Sequence, residues 1–147
     1  MMKSIHDLTE ALDRTLELVV LFNDDMQQEL ARLGLSVPRA HLLWLLHHNG
    51  PMTQRALSDA LDVTPRNVTG LVDGLAGTGF VTREQHPTDR RATLVSLTEQ
   101  GATTLAAMDE SHKELARRLF ADMPSARLAS FVSALADVTA RLREARS

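Results

Sequence analysis

The stretch from Thr53 to Leu97 constrains the fold more than any other part of the chain, because its capping and turn residues leave few alternatives. Thr53 is placed to cap a first helix running to about Leu61, its hydroxyl accepting from an otherwise unpaired amide of the first turn. Asp62-Val63 makes a turn. Thr64-Pro65 restarts a helix with a capping hydroxyl and then a proline at the first helical position, where its fixed φ suits the helix and its missing N–H is not needed. This second helix runs to about Ala76. Val68, Leu71, Val72 and Leu75 recur at helical spacing and face inward, while Arg66, Asn67, Thr69, Gly70 and Asp73 fall on the outward face. Gly77 and Gly79 stop the helix. Phe80 to Arg83 and Thr93 to Leu97 then read as strands, with His86-Pro87-Thr88-Asp89-Arg90-Arg91 between them.

Two short helices joined by a tight turn and followed at once by an arginine-tipped hairpin make a winged helix-turn-helix, a mainly α fold with a small β-hairpin wing (α+β). Three linked runs carry a family resemblance. Gly79-Phe80-Val81-Thr82-Arg83, Pro87-Thr88-Asp89-Arg90-Arg91 and Leu97-Thr98-Glu99-Gln100-Gly101 are similar, at matching separations, to the "G-L/F-V-x-R", "P-x-D-x-R" and "L-T-x-x-G" runs of one family. Leu57 to Gly101 thus resembles the MarR family of transcriptional regulators. The resemblance implies a homodimer whose two lobes bind double-stranded DNA.

Outside that stretch the apolar spacing carries the reading. From Ser4 to about Leu33, Ile5, Leu8, Leu12, Leu16, Val19, Val20, Met26 and Leu30 recur every three or four residues, predicting one long amphipathic helix that Gly34 ends. Pro38 opens a second helix through Leu42, Leu43, Leu45 and Leu46 to Asn49-Gly50-Pro51. Trp44, the only tryptophan, is expected there as a core anchor beneath the helix-turn-helix. Glu99 to Ala121 forms another long helix striped by Leu105, Met108, His112, Leu115 and Leu119. Beyond Pro124 a last helix carries Leu128, Phe131, Val132, Leu135, Val138 and Leu142 along one seam. These stripes exceed what one winged module can cover. A homodimer follows, formed by residues 1–33 and 98–147, with Ile5, Leu8, Leu12, Leu128, Phe131, Leu135, Val138 and Leu142 at the interface and 34–97 as the DNA-reading lobe of a single domain.

Composition bears on function mainly by exclusion. The chain has no cysteine, which removes disulfides, thiolate metal sites and the thiol-based peroxide sensing found in one branch of the family. Met1 to Asn23 lacks a signal-peptide pattern and no run is long enough to span a bilayer, so a cytoplasmic protein without membrane contact is expected. A formal net charge of -3 does not announce a nucleic-acid partner, but its distribution is uneven. Residues 1–52 carry four basic and seven acidic side chains, 53–97 five and five, and 98–147 seven and seven. Within the central third, Arg55, Arg66, Arg83, Arg90 and Arg91 sit at motif positions that would face a duplex, so the local potential can be positive on a mildly acidic protein.

On that placement Arg66 can donate two hydrogen bonds to guanine, and Asn67 can pair with adenine or a phosphate. Gln54, Thr64 and Thr69 are expected as phosphate contacts, which position the helix without reading sequence. Gly70 and Gly74 stand where many relatives have bulkier or basic residues, so the wing and DNA shape should carry more of the recognition. The family's pattern implies that Asp89 pairs with Arg91, leaving Arg90 or Arg91 to enter a narrow minor groove, whose potential draws arginine.

The resemblance also implies an effector pocket between the dimer helices and the DNA-reading lobe, mapping onto Leu16, Val20, His41, Trp44, Leu45 and Met108, with a lining suited to a small apolar or aromatic molecule. No metal or cofactor is expected, because neighbours such as His47 and His48 diverge by about 100 degrees on a helix. No nucleophile elbow, zinc-binding HExxH, phosphate loop or dinucleotide fingerprint occurs, so catalysis is not expected. The expected function is a sequence-specific regulator, a repressor on a pseudo-palindromic operator. The alternatives are a helical protein-interaction module that retains the winged fold, and a metal-responsive regulator using the histidines.

Overall fold

A computed structural model describes residues 2–147. Helix α1 (Ile5–Leu33) begins at a capping box, in which the Ser4 hydroxyl accepts from the Asp7 amide at 3.1 Å and the Asp7 carboxylate accepts from the Ser4 amide at 3.3 Å. It ends where Gly34 turns left-handed at φ 70° and Leu35 donates back to the Leu30 carbonyl at 2.9 Å. Helix α2 (Val37–Asn49) starts from Ser36, with Pro38 in its first turn. A two-residue strand β1 (Met52–Thr53) follows, then α3 (Gln54–Leu61), α4 (Pro65–Gly77), strands β2 (Val81–Gln85) and β3 (Thr93–Leu97), and helices α5 (Glu99–Phe120) and α6 (Ser125–Ala145).

The caps read from the sequence form as expected. Thr53 Oγ1 accepts from the Ala56 amide at 3.0 Å, and Thr64 Oγ1 from the Asn67 amide at 3.1 Å. Between the two helices Asp62 adopts φ 54°, the left-handed region that an aspartate tolerates better than most side chains. Ser58 secures this turn, its buried hydroxyl donating to the Val63 carbonyl at 2.6 Å.

The sheet differs from the expected hairpin in two ways. It has three antiparallel strands in the order β1-β3-β2, since Met52 and Thr53 pair with Val95 and Leu94. Two residues next to a proline are too short to show a strand period, so only the partner strand reveals them. The first hairpin strand also starts one residue later and runs two residues further than expected, to Gln85 opposite Thr93. Phe80 instead closes the end of α4, donating to the Leu75 carbonyl at 2.8 Å, and sinks its ring into the core.

By its internal contacts the chain divides into two compact units, one ending at Leu105 and one spanning Ala106–Ser147. The core lies in the first: Leu42, Leu43, Leu57, Val68, Val72, Leu75, Val95 and Leu105 are completely or almost completely buried. Each such side chain contributes about 1.5 to 3 kcal/mol by leaving water. Leu71 is only half-buried, at the margin of the inward face. Trp44 is not the expected core anchor. It is half-buried, because Leu42, Leu43 and Leu46 take the inward face of α2 and turn residue 44 to its flank.

On α1 only Leu30 is buried; Ile5 (75% exposed), Leu8, Leu12, Leu16, Val19 and Val20 face outward. In the second unit no side chain is buried, the rings of Phe120 and Phe131 lie 5.8 Å apart, and Leu135, Val138 and Leu142 (60% exposed) are open. Lys113 lies beside Asp109 and Glu110, whose charges hold its ammonium pKa above the usual lysine range.

Candidate nucleic-acid interface

Helix α4 is fixed from behind by Val68, Val72 and Leu75, which leaves Arg66, Asn67, Thr69 and Gly70 exposed on its outward side. Thr64, at its N-cap, is exposed as well, and Arg55 projects from the first turn of α3. The helix thus presents a polar, hydrogen-bonding face with one cation at its N-terminal end.

Three residues expected to touch DNA, Gln54, Thr69 and Arg83, are tied to one another. The Arg83 guanidinium, reaching from β2, donates through Nε to Gln54 Oε1 at 3.2 Å and through Nη2 to the Thr69 carbonyl at 3.4 Å. It also forms an ion pair with Asp73. Gln54 Nε2 donates in turn to Thr69 Oγ1 at 3.4 Å, and that hydroxyl donates to the Pro65 carbonyl at 3.0 Å. One arginine thereby links β2, the start of α3 and the middle of α4 across ten to twenty-nine residues of sequence. By its spacing Asp73 falls on the outward face of α4, with no role evident from the sequence. An acid on a face otherwise polar and cationic was the available signal.

The wing is organised by its own backbone. His86 Nδ1 accepts from the amides of Thr88 at 3.3 Å and Asp89 at 3.2 Å, so its lone pair lies on Nδ1 and its proton on Nε2. Its amide donates to the Ala92 carbonyl at 3.0 Å, and Gln85 Nε2 reaches the Arg90 carbonyl at 3.4 Å. Asp89 does brace the turn, but not as expected. Its carboxylate accepts from the backbone amide of Arg91 at 3.0 Å rather than from the guanidinium, since a two-residue separation within a tight turn brings the amide, not the side chain, to the carboxylate. Arg90 and Arg91 are exposed, and among the described residues neither guanidinium has a partner. Sequence reasoning missed His86, whose role depends on a loop conformation with no composition of its own.

The expected effector residues are less concentrated. Leu16 and Val20 are exposed on α1, His41 is exposed on α2, Trp44 and Leu45 are half-buried, and Met108 is half-buried in the second unit. The indole of Trp44 stacks on His48 at 5.2 Å and meets His47 edge-on at 5.7 Å. The two imidazoles come within 5.3 Å of each other, closer than their positions on the helix suggested, because both fold onto the same indole. Among the described residues no three of His, Cys, Asp and Glu converge as a metal site would require, and no helix is long and apolar enough to cross a membrane.

Two capped helices meeting at a left-handed turn, followed by a braced two-arginine hairpin, define a winged helix-turn-helix module. Residues 35–93 match the MarR family. The chain is 30% identical over 122 residues to the transcriptional repressor YetL of Bacillus subtilis, a match covering 82% of this chain and 73% of that protein. It is 29% identical over 107 residues to the transcriptional repressor IacR of Pseudomonas putida, covering 73% and 64%. The protein belongs to the MarR family of helix-turn-helix transcriptional regulators. Against three of the curated relatives it matches, the aligned part spans 58 to 65% of their length. The crystal structure of RV1404 from Mycobacterium tuberculosis superposes with a TM-score of 0.75 at 27% identity, covering 95% of this chain and 92% of that one. FabT of Streptococcus pneumoniae, solved in complex with DNA, shares the fold with a TM-score of 0.79 at 21% identity over 91% and 98% of the two chains.

Proposed function

We propose that the protein is a cytoplasmic repressor that binds a pseudo-palindromic operator in double-stranded DNA as a homodimer and does no catalysis. The observation that carries this reading is the joint held by Arg83, which ties the outward face of α4 to the wing strand so that helix and wing can meet one duplex together. Arg66 and Asn67 would read base edges in the major groove, Thr64 and Arg55 would meet phosphates, and Arg90 or Arg91 would enter the adjoining minor groove. A protein of the same fold has been solved on DNA, which supports this mode.

Dimerisation is supported by the exposed apolar faces of α1 and α6, which in water would leave Ile5, Leu8, Leu12, Leu135, Val138 and Leu142 wet. Two-fold symmetry of the protein would impose two-fold symmetry on the operator. An apolar or aromatic effector would meet Leu16, Val20, His41, Trp44 and Leu45, and the single tryptophan offers its fluorescence as a reporter.

Selection of bound sequences from random duplex DNA tests the reading. The expected product is an inverted repeat with half-site centres about 10 base pairs apart. Recovery of no common sequence would overturn it in favour of a protein-interaction role for the helices.

A further inference from the structure

The outward face of α4 is thinly furnished beyond its first turn. Along the stripe that begins at Asn67, at spacings of three and seven residues, positions 70 and 74 are both glycine, and Arg66 is the only cation of the helix. The two glycines differ in their surroundings. A Cβ built on Gly70 would meet nothing within 4 Å. One built on Gly74 would stand 2.6 Å from Cζ and 3.0 Å from Nε of Arg39, and closer still to Nη2. The guanidinium of Arg39, from the first turn of α2, therefore fills the volume that a side chain at position 74 would take. It stands on the same stripe as Asn67, about 10 Å further along the helix axis.

This cation stands on an anchored base and is left without a counter-ion among the described residues. The Arg39 amide donates to the capping hydroxyl of Ser36 at 3.4 Å, and α2 is anchored in the core by Ala40, Leu43 and Leu46, so the base of the side chain is fixed. Arg39 is half-buried, and among the described residues its guanidinium has no hydrogen bond or ion pair. A cation partly withdrawn from water and unpaired is unfavourable, so an anion brought to that face gains more than it would from a fully solvated arginine.

We propose that Arg39 contacts a DNA backbone phosphate, standing over the glycine gap of α4 and supplying the cation that this helix lacks beyond Arg66. This rests on α4 being the DNA-reading helix. It adds a residue from outside the helix-turn-helix, and it gives Gly74 a purpose: any side chain there would displace the arginine.

The test titrates a selected operator with the wild-type protein and with Arg39→Ala, Gly74→Ala, the double variant and Arg66→Ala, across a salt series, with thermal melts confirming that each folds. Arg39→Ala should bind about tenfold more weakly on all operator variants alike, with a salt dependence shallower by about one. Gly74→Ala should melt no lower than wild type, because alanine favours a helix interior and the guanidinium is a flexible end that can swing aside. It should nevertheless lose a similar fraction of the affinity. The double variant should bind no more weakly than Arg39→Ala alone. If Arg66→Ala weakens binding and Arg39→Ala does not, Arg39 is only a packing residue and the proposal fails. Losses from Arg39→Ala and Gly74→Ala that multiply in the double variant would also overturn it. Absence of DNA binding by the wild-type protein would instead remove the regulator reading itself.

Discussion

Replacing Arg83 should separate two roles that an arginine beside DNA can play. Arg83→Ala removes an ion pair with Asp73, whose carboxylate side chain is 62% exposed, together with hydrogen bonds of 3.2 Å to Gln54 and 3.4 Å to the Thr69 carbonyl. An exposed ion pair contributes about 0 to 1 kcal/mol, and each hydrogen bond about 0.5 to 1.5 kcal/mol, nearer the lower figure at these lengths. The expected loss of stability is therefore about 1 to 2 kcal/mol by denaturant titration, or a fall in Tm of a few degrees by thermal unfolding. DNA affinity should fall by about 1 to 3 kcal/mol, because the wing is no longer held at a fixed position against α4. The sign of the Asp73→Ala effect decides the mechanism. Deleting an acid from a face that meets phosphate should by charge alone tighten binding, by about 1 kcal/mol or less after screening. Loss of the joint should weaken it, and we expect weakening, with the salt dependence of Arg83→Ala unchanged. Operator titrations over a salt series measure both quantities. Tighter binding by Asp73→Ala, or a salt slope reduced by about one in Arg83→Ala with its Tm unchanged, would show that Arg83 is a direct phosphate contact and that the joint does nothing for recognition.

Three further outcomes are expected. Gly101→Ala should destabilise by about 1 to 3 kcal/mol in denaturant titrations, because its new methyl would collide with the backbone carbonyl of Phe80, which cannot swing away as a side-chain tip can, and would also stand 3.3 Å from a Leu97 methyl. Asp89→Asn should retain wing function, since an amide oxygen can still accept from the Arg91 amide, whereas Asp89→Ala should weaken operator binding; equal loss in the two variants would show that the charge, not the acceptor, matters. Leu135→Glu should shift light-scattering mass toward the monomer at micromolar concentration, because a charge in an apolar interface is costly unless paired, and an unchanged mass would place the interface elsewhere.

The sequence by itself determined those features whose physics is local. Thr53 and Thr64 cap because a hydroxyl three residues before an unpaired amide suffices, Asp62 turns because aspartate tolerates the left-handed region, and β3 falls at 93–97 as its residue types suggested. The inward set Val68, Val72 and Leu75 followed from a period of 3.6 residues. The runs carrying the family resemblance were legible too, although not the reason for each residue in them: Gly101 reads as a motif letter until the Phe80 carbonyl is seen against it.

The tertiary structure decided everything that depends on a partner distant in the chain. Strand β1 exists because β3 lies beside it, and Phe80 left its expected strand because its amide closes the end of α4 on the Leu75 carbonyl while its ring is buried. Gln54, Thr69 and Arg83 looked like three separate contacts in the sequence, and they are one joint because β2 passes α4 at Asp73. Trp44 stands on the flank of α2 because three leucines already fill the inward face, a competition that hydrophobicity alone does not resolve. Spacing along a chain fixes which side of a helix a residue occupies. Which groups stand opposite that side depends on packing among elements far apart in sequence, and that is where Arg39 meets Gly74.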